Sequence, residues 1–221
     1  MSEQVMHARA VLFDFDGVLV DSVAAVERAW GQWAGEHGLD AATVVAQAHG
    51  VRTVETVRVL TPHLDADDEA IRIEEREVAH TDQVTAYPGA AAVLADLPDG
   101  SWAIVTSGSR KLAAARLDAI GLPVPGVFVT ADDVTTGKPA PEPYLLAAER
   151  LGVPPEHCVV VEDSPAGVVA GRSAGMRVVA VLTTHDPAQF DDPTIMVDSV
   201  DAIRVTAGGD GRVRIWTRAA E

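Results

Sequence analysis

An apolar run over residues 10–15 breaks off at two acids and a glycine, Asp14, Asp16 and Gly17. A segment apolar on successive positions cannot keep one face in water, so it predicts a strand buried on both faces, as in a parallel sheet. Three more such runs follow: residues 102–106, ending in Ser107-Gly108-Ser109; residues 158–161, ending in Glu162-Asp163-Ser164; and residues 177–182. Helical patterns lie between them, over residues 90–97, 111–120, 141–151 and 166–174. Gly121, Gly152 and Gly175 follow three of these stretches, where glycine suits a C-terminal cap. Alternating strand and helix predict an α/β fold, a Rossmann-like parallel sheet with helices on both faces.

Residues 22–86 break that rhythm with helical periods and no clear strand. Ser22 suits the N-cap of a helix through about residue 37. Further helices are expected over residues 41–48, 51–60 and 67–81, the acidic run Asp65–Asp68 favouring a helix start. Tyr87-Pro88-Gly89 punctuates the return to the sheet. The expected organisation is an α/β core domain of residues 1–21 and 87–221, with residues 22–86 inserted as a helical cap domain. Near the end, Gly208-Gly209-Asp210-Gly211 separates two short apolar alternations and predicts a hairpin over residues 203–216.

Composition limits the partners. The chain is 48% apolar, enough for a sizeable core, and its formal net charge is -16. Such a surface repels nucleic acid and anionic lipid, so no nucleic-acid or membrane partner is expected. It also repels a phosphorylated ligand, so any anion site has to be locally positive or carry a metal. Cys158 is the only cysteine, which excludes an internal disulfide. Residues 1–9 carry no signal-peptide pattern, and no apolar run approaches a membrane span. The expectation is a cytoplasmic protein whose oligomeric state, monomer or dimer, stays open.

In an open parallel sheet, ligands bind at the carboxyl ends of the strands. Three expected strands end there in polar clusters: Asp14 with Asp16, Ser107 with Ser109, and Glu162 with Asp163. Lys138 lies in the loop Thr136-Gly137-Lys138-Pro139 on the same rim. Two like charges at about 4 Å cost roughly 4 kcal/mol at an effective dielectric near 20, so four carboxylates together call for a cation. Oxygen donors without His or Cys beside them favour magnesium over zinc.

Asp14-Phe15-Asp16-Gly17-Val18, Ser107 after Val105-Thr106, Lys138 before Pro139, and Glu162-Asp163 resemble, in order, the four motifs of the haloacid dehalogenase-like hydrolase superfamily. The resemblance spans nearly the whole chain, including a helical cap between the first two motifs, and the four motifs together are specific where each alone is weak. It implies a magnesium-dependent phosphohydrolase acting on a small-molecule phosphate ester. Asp14 would be the nucleophile that forms an aspartyl-phosphate. Asp16 would protonate the leaving oxygen, then activate water, while its backbone carbonyl binds the metal. Ser107, with Phe15 and Gly108, would hold the phosphoryl group, and Lys138 would neutralise it. Glu162 and Asp163 would join Asp14 and Asp16 in fixing Mg2+, one or both through water.

The second acid narrows the reaction. Relatives that cleave carbon–halogen bonds lack an aspartate at the Asp16 position, and phosphonate-cleaving relatives use a cap lysine. The lysines here are Lys111 and Lys138, neither in the cap. Mutases of the beta-phosphoglucomutase branch typically carry a histidine where this chain has Val26. The segment His49-Gly50-Val51-Arg52-Thr53, with residues 101–110 and 137–144, resembles the sugar and polyol phosphatase group, the glycerol-3-phosphate and 2-deoxyglucose-6-phosphate phosphatases. Arg52 is then expected to bind a second anionic group or hydroxyls, and His49 to donate to a sugar hydroxyl.

Simpler roles compete with these. Ser109 and Ser164 suit helix N-caps, Trp30 and Trp33 suit packing at helical spacing, Cys158 suits a buried strand, and Asp21 is divided between hinge structure and support of the site. Two other functions stay in view: a sugar phosphomutase, and a non-catalytic phospho-ligand sensor, against which the intact motif set argues.

Overall fold

A computed structural model describes residues 3–208 and 212–218 of the chain. The N-terminal stretch that looks merely polar forms a strand, β1 (Glu3–Ala8), with Met6 and Ala8 turned to the core and His7 to solvent. Then follow β2 (Ala10–Phe13), β3 (Val20–Asp21), and four helices, α1 (Val23–Glu36), α2 (Ala41–Ala48), α3 (Thr53–Leu60) and α4 (Ala66–Val78). The chain continues through β4 (Thr85–Ala86), α5 (Ala90–Ala95), β5 (Trp102–Val105), α6 (Arg110–Ile120), β6 (Val127–Val129) and α7 (Glu142–Leu151). It ends with β7 (Cys158–Glu162), α8 (Pro165–Ser173), β8 (Arg177–Val181), β9 (Ile195–Val197), β10 (Ile203–Ala207) and β11 (Val213–Arg218).

Among the described residues, six strands form one parallel sheet in the order β6-β5-β2-β7-β8-β9. The expected α/β fold is therefore present, with β2 between β5 and β7. Leu12 pairs with Ala103 on one side and Val160 on the other, which brings the carboxyl ends of the three strands level. Alternate residues of β2 feed the two faces of the sheet. Val11 and Phe13 pack with Leu94 of α5, Leu117 of α6, and Met6 and Ile215 of the second sheet. Ala10 and Leu12 pack with Tyr144 and Ala147 of α7 and Val168 of α8.

The expected hairpin appears as β10 and β11, which pair antiparallel, and β1 completes that small sheet in the order β1-β11-β10. Residues 209–211 of its turn lie outside the described residues. Short strands β3 and β4 pair antiparallel, Val20 opposite Ala86 and Asp21 opposite Thr85. The helical stretch between them thus leaves and rejoins the sheet layer at adjacent points. Its helices share an apolar cluster of their own, built on Trp30, Trp33, Val44, Val57 and Ile73. Trp33 is fully buried there and donates its indole N–H to Glu69 at 2.9 Å.

Two helix starts differ from expectation for local reasons. Ser22 precedes α1 but makes no side-chain cap: its ψ of 6° is not the extended cap conformation, and its hydroxyl donates to Asp16 instead. The third helix begins at Thr53, two residues late, because Gly50 takes φ +76° and Arg52 is extended. Ser109, Ser164 and Asp65 do cap their helices, accepting from Leu112, Gly167, and Asp67 with Asp68.

Ile73 has no exposed surface and anchors the helical cluster. Ile73→Ala is expected to lower unfolding stability by about 2–5 kcal/mol in denaturant titration. A loss under about 1 kcal/mol would show that the helices are not held by this cluster.

Candidate active site

The chain path from β2 puts Asp14 one residue beyond the strand, with its N–H bonded to Val161 of β7. Glu162 ends β7 itself, and Asp163 follows it. Side-chain oxygens of Asp14, Glu162 and Asp163 lie within 4.8 Å of one another, all three residues buried. One ammonium stands among them. Lys138 Nζ donates to Asp14 Oδ1 at 2.6 Å, to Glu162 Oε1 at 2.6 Å and to the Val105 carbonyl at 3.3 Å, and the residue is 1% exposed. These three acceptors use the three donors of the ammonium. Burial alone would lower the Lys138 pKa, but Asp14 and Glu162 raise it well above its usual value.

Glu162 is the most committed of the acids. Its Oε1 accepts from Lys138 and from the Tyr144 hydroxyl at 3.0 Å. Its Oε2 accepts from the backbone N–H groups of Asp163 and Ser164 and from the Ser164 hydroxyl. Burial acts to raise its pKa, yet Lys138 and these donors hold it below the usual value. The other two acids are pushed the opposite way. Desolvation, then the Glu162 charge, raise Asp14 to about 7 against the pull of Lys138. Desolvation, then Glu162 and Asp14, raise Asp163 well above the carboxylate range. With all three carboxylates ionised, one ammonium leaves two negative charges, which a divalent cation would balance. This buried all-oxygen donor set fits a hard divalent cation.

The position of Asp163 explains Gly17. At φ +77°, Gly17 lies so close that a Cβ there would come within 1.9 Å of Asp163 Oδ2. The other support of Asp163 is Thr184, whose hydroxyl donates to the same oxygen.

Asp16 belongs to a different network. Its Oδ1 accepts from Ser22 Oγ at 2.7 Å and from Arg116 Nη1 at 2.7 Å. Arg116, 3% exposed, also pairs through Nη2 with Glu77 near the end of α4. Desolvation raises the Glu77 carboxyl to about 7, with Arg116 opposing it. The Asp16 side chain is thus not part of the tight carboxylate cluster.

A cavity of about 70 Å³ opens over these groups, lined by Asp14, Asp16, Ser107, Gly108, Asp163 and His49, among others. Ser107 donates its hydroxyl to the Gly50 carbonyl at 2.9 Å, so it touches the helical layer. The Gly108 N–H is taken by the Thr106 hydroxyl at 3.1 Å. Phe15 is a core residue by its side chain, edge-on to Phe128. Val26 and Trp30 line the cavity, although Trp30 also packs edge-on to Trp33. His49 borders the cavity and a wider groove of about 500 Å³, with its ring edge-on to His185. Asp21 accepts from the Val23 N–H and shapes the turn into α1. Cys158 is buried, its thiol pushed up to about 11 by desolvation, and is no nucleophile.

Arg52 is not brought to the cavity. Its guanidinium donates to the carbonyls of Val134 and Thr135 at 3.0 and 2.9 Å and pairs with Glu55, which also accepts from the Gly137 N–H. A Cβ on Gly137 would lie 2.7 Å from the Arg52 stem. Arg52 therefore clasps the loop that leads to Lys138.

Sequence reasoning missed Tyr144, Arg116, Glu77 and Thr184. Tyr144 offered a signal, an aromatic one turn into a helix after Lys138. Arg116 and Glu77 offered none, since each reads as an ordinary charged helix residue.

A model of the haloacid dehalogenase-like hydrolase family matches residues 8–175. The chain is 45% identical over 215 residues to hexitol phosphatase A of Escherichia coli (strain K12), covering 95% of this chain and 100% of that one. It is 36% identical over 203 residues to 2-deoxyglucose-6-phosphate phosphatase 1 of Saccharomyces cerevisiae, covering 82% of each. The crystal structure of a hydrolase from Pseudomonas syringae superposes with a TM-score of 0.76 at 27% identity, over 87% of this chain and 94% of that one.

Removing the ammonium leaves buried carboxylates unpaired. Lys138→Met is expected to destabilise the fold by about 3–5 kcal/mol in chelator, read by denaturant unfolding. Unchanged stability would show that Lys138 does not carry the charge balance of the cluster.

Proposed function

Because the chain belongs to the haloacid dehalogenase-like hydrolases, we propose that it hydrolyses the phosphate monoester of a small sugar, polyol or related metabolite through an aspartyl-phosphate on Asp14. The family and the phosphatases among its relatives make the chain a hydrolase of phosphoric monoesters. One observation carries the mechanism: Asp14 lies 2.6 Å from a buried ammonium at the mouth of a cavity rimmed by a second acid.

Phosphoryl transfer is governed by positioning and charge, and a carboxylate approaches an anionic phosphate only when cations offset the repulsion. Lys138 supplies one positive charge. Asp14 and Asp163, with the Asp16 main-chain carbonyl, would hold magnesium, which supplies the remaining positive charge when bound. Glu162, whose oxygens already accept five donors, acts through its charge and its grip on Lys138. An Asp14 oxygen attacks phosphorus as the bond from phosphorus to the ester oxygen breaks, and that oxygen takes the proton of the Asp16 carboxyl. Asp16, now ionised, removes a proton from water, and the water oxygen attacks the phosphoryl group. Inorganic phosphate leaves, and Asp14 is restored as a carboxylate and Asp16 as an acid. Ser107 orients the phosphoryl oxygens from β5.

We read residues 22–86 as a cap domain over a core of residues 1–21 and 87–221. The paired strands β3 and β4 at its base and its separate apolar cluster support this division. The cap bears on specificity. Val23, Val26, Trp30 and Leu112 line the cavity, and Arg116, the one guanidinium or ammonium lining it among the described residues, is paired with Asp16 and Glu77. With Arg52 also committed, no unpaired guanidinium or ammonium lines the cavity among the described residues. That favours a neutral leaving group and disfavours the bisphosphate a mutase must hold.

Phosphate release from a panel of esters, with magnesium and with chelator, tests the proposal. Monophosphates of neutral sugars and polyols are expected to turn over only with magnesium, and Asp14→Asn to reduce kcat by on the order of 10⁴-fold or more. Isomer exchange without phosphate release would favour the mutase, and absence of turnover across the panel would favour the sensor. Magnesium is also expected to raise the unfolding midpoint, and Asp163→Asn to remove that rise. An equal rise in Asp163→Asn would move the cation elsewhere.

A further inference from the structure

Asp16 is held from outside its own loop. Two donors converge on its Oδ1, the Ser22 hydroxyl and the Arg116 guanidinium, each at 2.7 Å. Arg116 reaches it from α6, 100 residues along the chain, and is itself pinned by Glu77 of α4. The Arg116 Nε has no protein acceptor, so the guanidinium is fixed by its two terminal nitrogens. Asp16 keeps 30% of its side chain exposed, whereas Arg116 and Glu77 are 3% and 4% exposed. A partly exposed acid is therefore tied to a buried ion pair.

We propose that Arg116, held by Glu77, is the positioning residue that sets Asp16 for proton transfer to the leaving oxygen. The inference rests on the reading of Asp16 as the proton donor. A general acid works only within hydrogen-bond reach of its target, and a small misplacement costs much of the rate. A short, partly exposed aspartate side chain has several rotamers available. A charge-assisted bond to Oδ1 selects one of them and leaves Oδ2 to carry the transferred proton. Burying a guanidinium between two carboxylates is a weak source of stability, since an apolar group of the same volume packs as well. Its value lies in what it orients. Arg116 does not touch the phosphoryl group in this role, and Glu77 acts only through Arg116.

The dependence on leaving group separates positioning from a general structural effect. An alkoxide leaving group needs the Asp16 proton, and p-nitrophenolate does not. The ratio kcat/KM covers steps up to formation of the phosphoenzyme, so it excludes the later water attack. In Arg116→Lys and in Glu77→Gln, kcat/KM for glycerol phosphate is expected to fall about 10²-fold or more, and that for p-nitrophenyl phosphate less than 10-fold. The double variant Arg116→Met with Glu77→Gln removes both charges together, leaves no buried charge unpaired, and should show the same split. Equal losses on both esters, or no loss on either, would overturn the proposal. Asp16→Asn serves as the control. If it shows no split, the reading of Asp16 as proton donor fails; if it shows one and the Arg116 variants do not, only the positioning role fails.

Discussion

The ammonium of Lys138 between Asp14 and Glu162 is the interaction on which the site depends. A parallel sheet delivers the carboxyl ends of β2, β5 and β7 to one rim, and this chain places acids on two of them. Left alone, those acids would repel one another and take up protons, as the raised values of Asp14 and Asp163 indicate. Lys138 keeps Glu162 ionised and holds one oxygen of Asp14. Tyr144, the backbone N–H groups after β7 and the Arg52 clasp then serve one end, keeping that ammonium and its acceptors in place.

The helical layer touches the site at several points as well as covering it. Its Gly50 carbonyl accepts from Ser107, its Glu77 pins Arg116, and its Arg52 and Glu55 bind the loop before Lys138. Each contact reaches a residue on the sheet side that the proposed mechanism uses or that leads to one. Packing inside the layer, centred on Trp33 and Ile73, keeps those three contact points in register.

Much of this was legible in the sequence because it rests on local patterns. Runs such as residues 10–13 and 158–161 are apolar on both faces, as a buried strand requires, and the abrupt change to Asp14 and Glu162 marks the functional rim. Weaker strands escaped notice. Among the described side chains β1 buries Met6 and Ala8, and β6 and β9 are three residues long, too short to show a period. At the site, residues carried by a motif were visible and residues recruited by folding were not. Arg116 and Glu77 lie on exposed-looking helical sequence and acquire meaning only when α6 and α4 meet beside Asp16. Arg52 shows the same limit: its bonds to the Val134 and Thr135 carbonyls join positions more than 80 residues apart, which no local pattern announces.

The central claim is that Asp14 carries the phosphoryl group between ester and water. Acid quenching during turnover with magnesium, followed by peptide mapping by mass spectrometry, tests it directly. A phosphorylated peptide with the modification on Asp14 is expected, formed and discharged within the turnover time. A phosphoryl group found on another residue, or full turnover with Asp14 never modified, would contradict it.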